Sequence, residues 1–119
     1  MKSVESIIYK GKRICIIDIS FLPPQEAISV LNENHYQIGK LISKTALIIT
    51  DLTNTVYNRD SSAIIKKFVT RKTHYIKASA IVGADRIRSF IIKTIAFLTG
   101  KEIKLFKTRD EALDWLATK

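Results

Sequence analysis

The chain has 119 residues, 46% of them hydrophobic and 26% charged, with a formal net charge of +9. That length and balance suit one globular domain with its own core, spanning 1–119, and exclude a disordered chain. No apolar run approaches the ~20 residues of a membrane helix, MKSVESIIYKGK lacks the apolar stretch of a secretory leader, and the single cysteine, Cys15, makes neither an internal disulfide nor a Cys-rich zinc site. The expectation is a cytoplasmic domain without cofactor or metal.

In chain order, Ile7–Tyr9 and Ile14–Ile19 are β-branched runs separated by Lys10-Gly11-Lys12-Arg13, a β-hairpin with Gly11 in the turn. Pro23-Pro24 stops extension and suits a helix start. From Gln25 to about Leu41, Ala27, Ile28, Leu31, His35 and Ile38 recur at three- and four-residue steps, an amphipathic helix that Gly39 weakens or ends. Thr45–Thr50 is a continuous apolar run without helical period, a strand buried on both faces and ending at Asp51. A polar stretch follows to Asp60, and Asp60 or Ser61 can cap the next helix, where Ile64/Phe68 and Ile65/Val69 form i,i+4 pairs.

Ala78–Val82 is the next buried strand, closed by Gly83. Asp85 opens a helix to about Thr99 with Ile87, Ile91, Ile95 and Leu98 on its core stripe, and Gly100 closes it. Ile103–Phe106 is a short strand. Thr108-Arg109-Asp110-Glu111 is a capping box opening a last helix with Leu113, Trp115 and Leu116. The order ββαβαβαβα predicts a mixed, mainly parallel sheet with an N-terminal hairpin, right-handed crossovers and about four helices.

The segments Leu47–Asn58 (LIITDLTNTVYN), Lys77–Ala84 (KASAIVGA) and Ile103–Leu116 (IKLFKTRDEALDWL) resemble the SpoIIAA-like group of the STAS superfamily, small bacterial domains, and the order of elements agrees from Ile7 to the C-terminus. The resemblance implies an α/β regulatory, protein-binding module rather than an enzyme. In anti-sigma antagonists of that superfamily, a serine after an aspartate at the start of the helix following the central strand is phosphorylated and controls partner docking. Asp60-Ser61-Ser62 stands near that place, and Ser61 is the matching residue. The spacing from Asp51 is one residue longer than in the family motif, and Ala63 stands where the motif has glycine. Read without the resemblance, Asp60 and Ser61 are helix caps.

The remaining constellations are weighed on their chemistry. Asp18, Asp51 and Asp85 lie at or beyond strand ends, which a parallel sheet gathers along one edge where ligands usually bind. No spacing supports acid–base or metal work there, and turn roles are the usual explanation. Gly83, Ala84, Asp85, Arg86 and Arg88 join a strand to a helix start, a candidate anion site without a dinucleotide or P-loop fingerprint. His35 and His74 have no ligand-type neighbours, so no Cys/His or Ser/His/Asp set supports nucleophilic catalysis.

Charge is uneven: residues 60–109 carry twelve Lys/Arg against three Asp/Glu, and Lys66, Lys67, Arg71, Lys72 and Lys77 make the densest basic stretch. Three functions therefore compete. The leading one is a regulatory module that docks a protein through the loop Asp51, Thr53, Asn54, Tyr57, Asn58 and the helix start at Asp60–Ser62. The second is electrostatic binding of nucleic acid or an anionic membrane surface through 66–77. The third is a small-ligand or lipid pocket between sheet and helices. A homo-oligomer is compatible with each.

Overall fold

The computed structural model describes residues 4–33, 47–56, 58–60, 63, 77–85, 93 and 102–119. They form one five-stranded sheet in the order β1-β2-β3-β4-β5: β1 Val4–Tyr9, β2 Lys12–Asp18, β3 Leu47–Asp51, β4 Ala78–Val82 and β5 Ile103–Phe106. β1 and β2 pair antiparallel, and every later pairing is parallel.

The hairpin is longer than its apolar runs. Lys10 and Gly11 both have positive φ, 48° and 79°, so these two residues make the whole turn and Tyr9 pairs with Lys12. Glu5, Ser6, Lys12 and Arg13 thus join the ladder although they are polar. β3 and β4 are the opposite case: their alternating side chains are buried on both faces, as continuous apolar runs in a parallel sheet require.

Each face has its own core. Cys15, Ile17, Ile19, Ile48, Leu52 and Ile81 pack on one face with Ala27 and Leu31 of α1, Pro24–Glu33. Ile14, Ile16, Ile49, Ala80 and Val82 pack on the other with Ala112, Leu113 and Leu116 of α2, Arg109–Ala117. Pro24 opens α1, where its missing N–H has no helical partner to lose. Thr108 caps α2: its Oγ1 accepts from the Glu111 N–H at 3.3 Å, and its hydroxyl donates to Glu111 Oε1 at 3.0 Å. Trp115 is half-buried against Phe106, ring centroids 5.6 Å apart, and belongs to the sheet packing.

The mixed, mainly parallel sheet is as the order of elements predicts. Of the four expected helices, the described residues show two. The continuation of α1 past Glu33, with His35 and Gly39, lies outside them, as do most of the helices expected after Asp60 and Asp85. Arg59, Asp60, Ala63 and Lys93 carry helical backbone. No helix among the described residues is long and apolar enough to cross a membrane.

Candidate functional site

The carboxyl ends of the parallel strands form one edge, and the backbone ladder continues one step past each strand. Ile19 N–H donates to Asp51 O at 3.2 Å, Leu52 N–H to Val82 O at 2.8 Å, and Gly83 N–H to Phe106 O at 3.0 Å. The loops after β2, β3 and β4 therefore leave the sheet in fixed register.

Two of these loops repeat a local motif. In Asp18-Ile19-Ser20, Asp18 Oδ1 accepts from the Ser20 N–H at 3.0 Å and the Ser20 hydroxyl at 2.7 Å. In Asp51-Leu52-Thr53, Asp51 Oδ1 accepts from the Thr53 N–H at 3.0 Å and its hydroxyl at 2.6 Å. A carboxylate that bonds its own chain two residues on closes a turn. Asp18 and Asp51 are direct partners in the β2–β3 register, so the two turns stand side by side.

Arg109, the first residue of α2, joins them. Its Nη2 donates to Asp18 Oδ2 at 3.1 Å and to Asp51 Oδ2 at 2.7 Å. Burial pulls the Arg109 pKa down, but the hydrogen bonds and charges of Asp51 and Asp18 outweigh it and leave the pKa raised. All four carboxylate oxygens are engaged, one of each pair in a turn and the other on the guanidinium. Asp18 and Asp51, carboxylates at strand ends with turn roles, thus form a two-carboxylate, one-guanidinium tie with Arg109. Among the described residues, no group of three or more His, Cys, Asp or Glu is placed to hold a metal.

The two loops also bond each other. Phe21 N–H donates to Thr53 O at 2.8 Å, Thr55 Oγ1 donates to Ile19 O at 2.7 Å, and Val56 N–H donates to Leu22 O at 3.0 Å. Thr55 is buried by this arrangement, whereas Phe21 and Val56 are 62% and 58% exposed. Phe21 sits at φ 63° and Asn54 at φ 50°. For a bulky aromatic the left-handed region costs on the order of 1–2 kcal/mol, so the surrounding bonds hold an exposed ring in an unfavourable backbone state.

Gly83 packs against the same structure. Its φ is 77°, and a Cβ there would lie 2.4 Å from Thr53 Oγ1 and 2.7 Å from Thr53 Cα. Glycine is required for the turn and for the close approach of the β3 loop.

Of the residues proposed from sequence, this edge brings together Asp51, Thr53, Asn54, Gly83 and Ala84, with Asn58, Asp60 and Asp85 further along the same loops. Lys77 is exposed immediately before β4, at the other end of the strand. Tyr57, Ser61, Ser62, Arg86 and Arg88, and Lys66, Lys67, Arg71 and Lys72, lie outside the described residues. Sequence reasoning treated Arg109 only as part of a capping box and left Phe21 and Val56 unremarked. The paired triplets Asp18-x-Ser20 and Asp51-x-Thr53, each just after a β-branched run, were the available signal that two strand ends match.

Cys15 is inert packing: it is buried, and burial pushes its thiol up to about 11.

No family model matches the chain, and no curated protein matches it. Among solved structures the chain is similar to an uncharacterised protein of the DUF3478 family, described as having a SpoIIAA-like fold, from Shewanella loihica PV-4. The two agree with a TM-score of 0.71 over 98% of this chain and 95% of that one, at 14% sequence identity. At that identity the likeness speaks for architecture and not for activity: the chain has a SpoIIAA-like α/β fold.

Proposed function

We propose that the chain is a non-enzymatic, STAS-like regulatory module that docks a partner protein on the carboxyl edge of its sheet. The observation that supports this is the pair Phe21 and Val56: two large apolar side chains, exposed, on neighbouring loops tied to each other by hydrogen bonds. Exposed apolar groups on rigid loops suit recognition, because little conformational entropy is lost when they are covered. The loop Asp51–Ser62 and the turn Gly83–Arg88 complete the surface.

In this reading Ser61 is a modification site. A phosphate there, at a helix start with Arg59, Lys66 and Lys67 close in sequence, gains charge-assisted bonds and changes the docking surface. The protein is cytoplasmic in this proposal.

The test is isolation of the tagged protein from its own cells after crosslinking, in parallel with Phe21→Asn, and with and without nuclease. A defined protein retained by the wild type and lost from Phe21→Asn supports the proposal. With that partner in hand, Ser61→Asp should change its affinity while leaving the unfolding midpoint in place. A partner bound equally by all three proteins sinks the docking face and the switch together.

The charge of residues 60–109 favours a second reading, a polyanion surface along 66–77. It predicts co-purified nucleic acid or anionic-vesicle binding that disappears with salt and with Gln at Lys66, Lys67, Arg71 and Lys72. An apolar ligand that co-purifies and resists both treatments would point instead to a pocket between sheet and helices.

A further inference from the structure

The net charge of +9 is not shared evenly between the two ends of the sheet. Parallel pairing from β2 to β5 brings the start of each of these strands to one edge, the amino edge, and their ends to the other. The seven residues before β3, before β4 and before β5 together hold six Lys/Arg against one acid, Glu102. The hairpin turn and the start of β2 add Lys10, Lys12 and Arg13 at the same edge. At the carboxyl edge the balance is different. The seven residues after each parallel strand, with Asp18 and Asp51 at the strand ends, hold four Lys/Arg against five Asp/Glu.

Nearby acids do not cancel the excess. Asp114 stands 3.0 Å from the Lys10 ammonium, and Glu102 stands 2.7 Å from that of Lys119. With these two, Asp110 one turn before Asp114, and Glu33 at the end of α1 all counted, the Lys/Arg of this edge still lead by ten to four. Lys12, Arg13 and Lys77 form no ion pair with any described residue, and Arg13 and Lys77 are exposed. Cys15 aligns with Ile48 and Ile48 with Ser79, so Arg13 and Lys77, each two residues earlier, fall at one level of the sheet. They are two strand spacings apart, about 10 Å. Ile8 is the register partner of Arg13 and is 70% exposed, the most open of the described large apolar side chains.

We propose that the amino edge lies on anionic membranes, with its cations against lipid phosphates and Ile8 entering the apolar boundary. Charge alone holds a protein to a bilayer weakly, and an apolar group beside the charge adds a second contact that only hydrocarbon rewards. A nucleic acid has no comparable use for an isoleucine, because strands held without sequence choice stack their bases on aromatic rings. The aromatic ring described at this hairpin, Tyr9, is half-buried, and its hydroxyl donates to Asp114 at 2.6 Å. The sign of the charge is shared with the polyanion surface along 66–77, but Lys10, Lys12, Arg13 and Ile8 lie outside that stretch. Phe21 and Val56 stand at the opposite edge, so membrane contact and partner docking are independent.

The experiment is flotation of the full chain with phosphatidylcholine vesicles, with and without about one-third phosphatidylglycerol, beside binding of a single-stranded oligonucleotide in the same buffer. The chain should float with the anionic vesicles alone, and should be released as salt rises from about 50 mM to about 300 mM. The triple variant Lys12→Gln, Arg13→Gln, Lys77→Gln should weaken the vesicle complex at least about tenfold. Ile8→Ser should weaken it about threefold to tenfold. None of these side chains is buried or ion-paired in the described structure, so the unfolding midpoints should stay at the wild-type value. No flotation with anionic vesicles at the lower salt overturns the proposal. So does adsorption that Ile8→Ser leaves unchanged, or an oligonucleotide complex that the triple variant abolishes while its vesicle binding persists. Flotation that survives the triple variant and is lost with Gln at Lys66 and Lys67 also overturns it, and leaves the 66–77 surface standing.

Discussion

Arg109 Nη2 lies 2.7 Å from Asp51 Oδ2 and 3.1 Å from Asp18 Oδ2, so one side chain at the start of α2 ties together the ends of β2 and β3. Asp51 is nearly buried, and Arg109 is 35% exposed. Solvent therefore screens the tie in part, and its contribution falls between a surface pair and a buried one. Arg109→Met leaves two adjacent carboxylates without their cation. It should destabilise by about 1–3 kcal/mol, read from the urea midpoint at pH 7. Arg109→Lys should recover only part, since an ammonium lacks the planar fork. A midpoint unchanged in Arg109→Met would mean that the turns at Asp18 and Asp51 hold without it.

That tie marks where the sequence stops being legible. The strands were readable because β3 and β4 are unbroken apolar runs, and the capping box at Thr108–Glu111 because caps are local. The turn chemistry of Asp18 and Asp51 was readable for the same reason. Arg109, however, meets its partners across 91 and 58 residues of chain. No local pattern encodes such a pairing; only the strand order brings the three together. The hairpin was underestimated because an edge hairpin tolerates polar residues such as Glu5 and Arg13, which blur the alternation. Phe21 was invisible because nothing in the type of an aromatic residue announces a left-handed backbone.

Gly83 and Gly11 separate two effects that glycines usually confound. Both have positive φ, 77° and 79°, but a Cβ at Gly11 meets nothing within 4 Å, whereas at Gly83 it meets the Thr53 backbone. Gly11→Ala should cost about 1 kcal/mol, the strain of the left-handed region alone. Gly83→Ala adds a steric displacement of the β3 loop and should cost more than about 3 kcal/mol. Thermal or urea unfolding of the two variants compares them directly. Equal losses would show that the loop yields and that Gly83 serves only its own backbone.

Phe21→Asn tests whether an apolar ring is held exposed at a cost to the fold. Asparagine tolerates the left-handed region that Phe21 occupies and removes the exposed ring. The variant should be as stable as the wild type or more stable by up to about 1 kcal/mol. A loss above about 1 kcal/mol would instead make the ring part of the folded structure and weaken its claim as a docking group.

Cys15 supplies a pH signature. Its thiol is raised from 9.0 in the unfolded chain to about 11 in the folded one, because burial penalises the thiolate. A raised pKa means that the stability it contributes is fully present below pH 9 and is lost as the pH climbs through the folded value. The unfolded chain releases its proton first, so each step between about pH 9 and 11 favours unfolding. The total is on the order of 2–3 kcal/mol. Lysine and tyrosine titrations overlap this window, and Tyr9 and Lys10, both raised by their bonds to Asp114, contribute there too. Cys15→Ala removes the thiol and leaves those groups in place. Its stability at pH 7 should fall by about 1 kcal/mol from lost packing, while its decline between pH 9 and 11 should be shallower than that of the wild type. Urea titrations of both proteins at half-unit steps across this window measure the difference. Parallel curves would show that the thiol ionises in the folded state as readily as in the unfolded one, and that the centre of this sheet admits water.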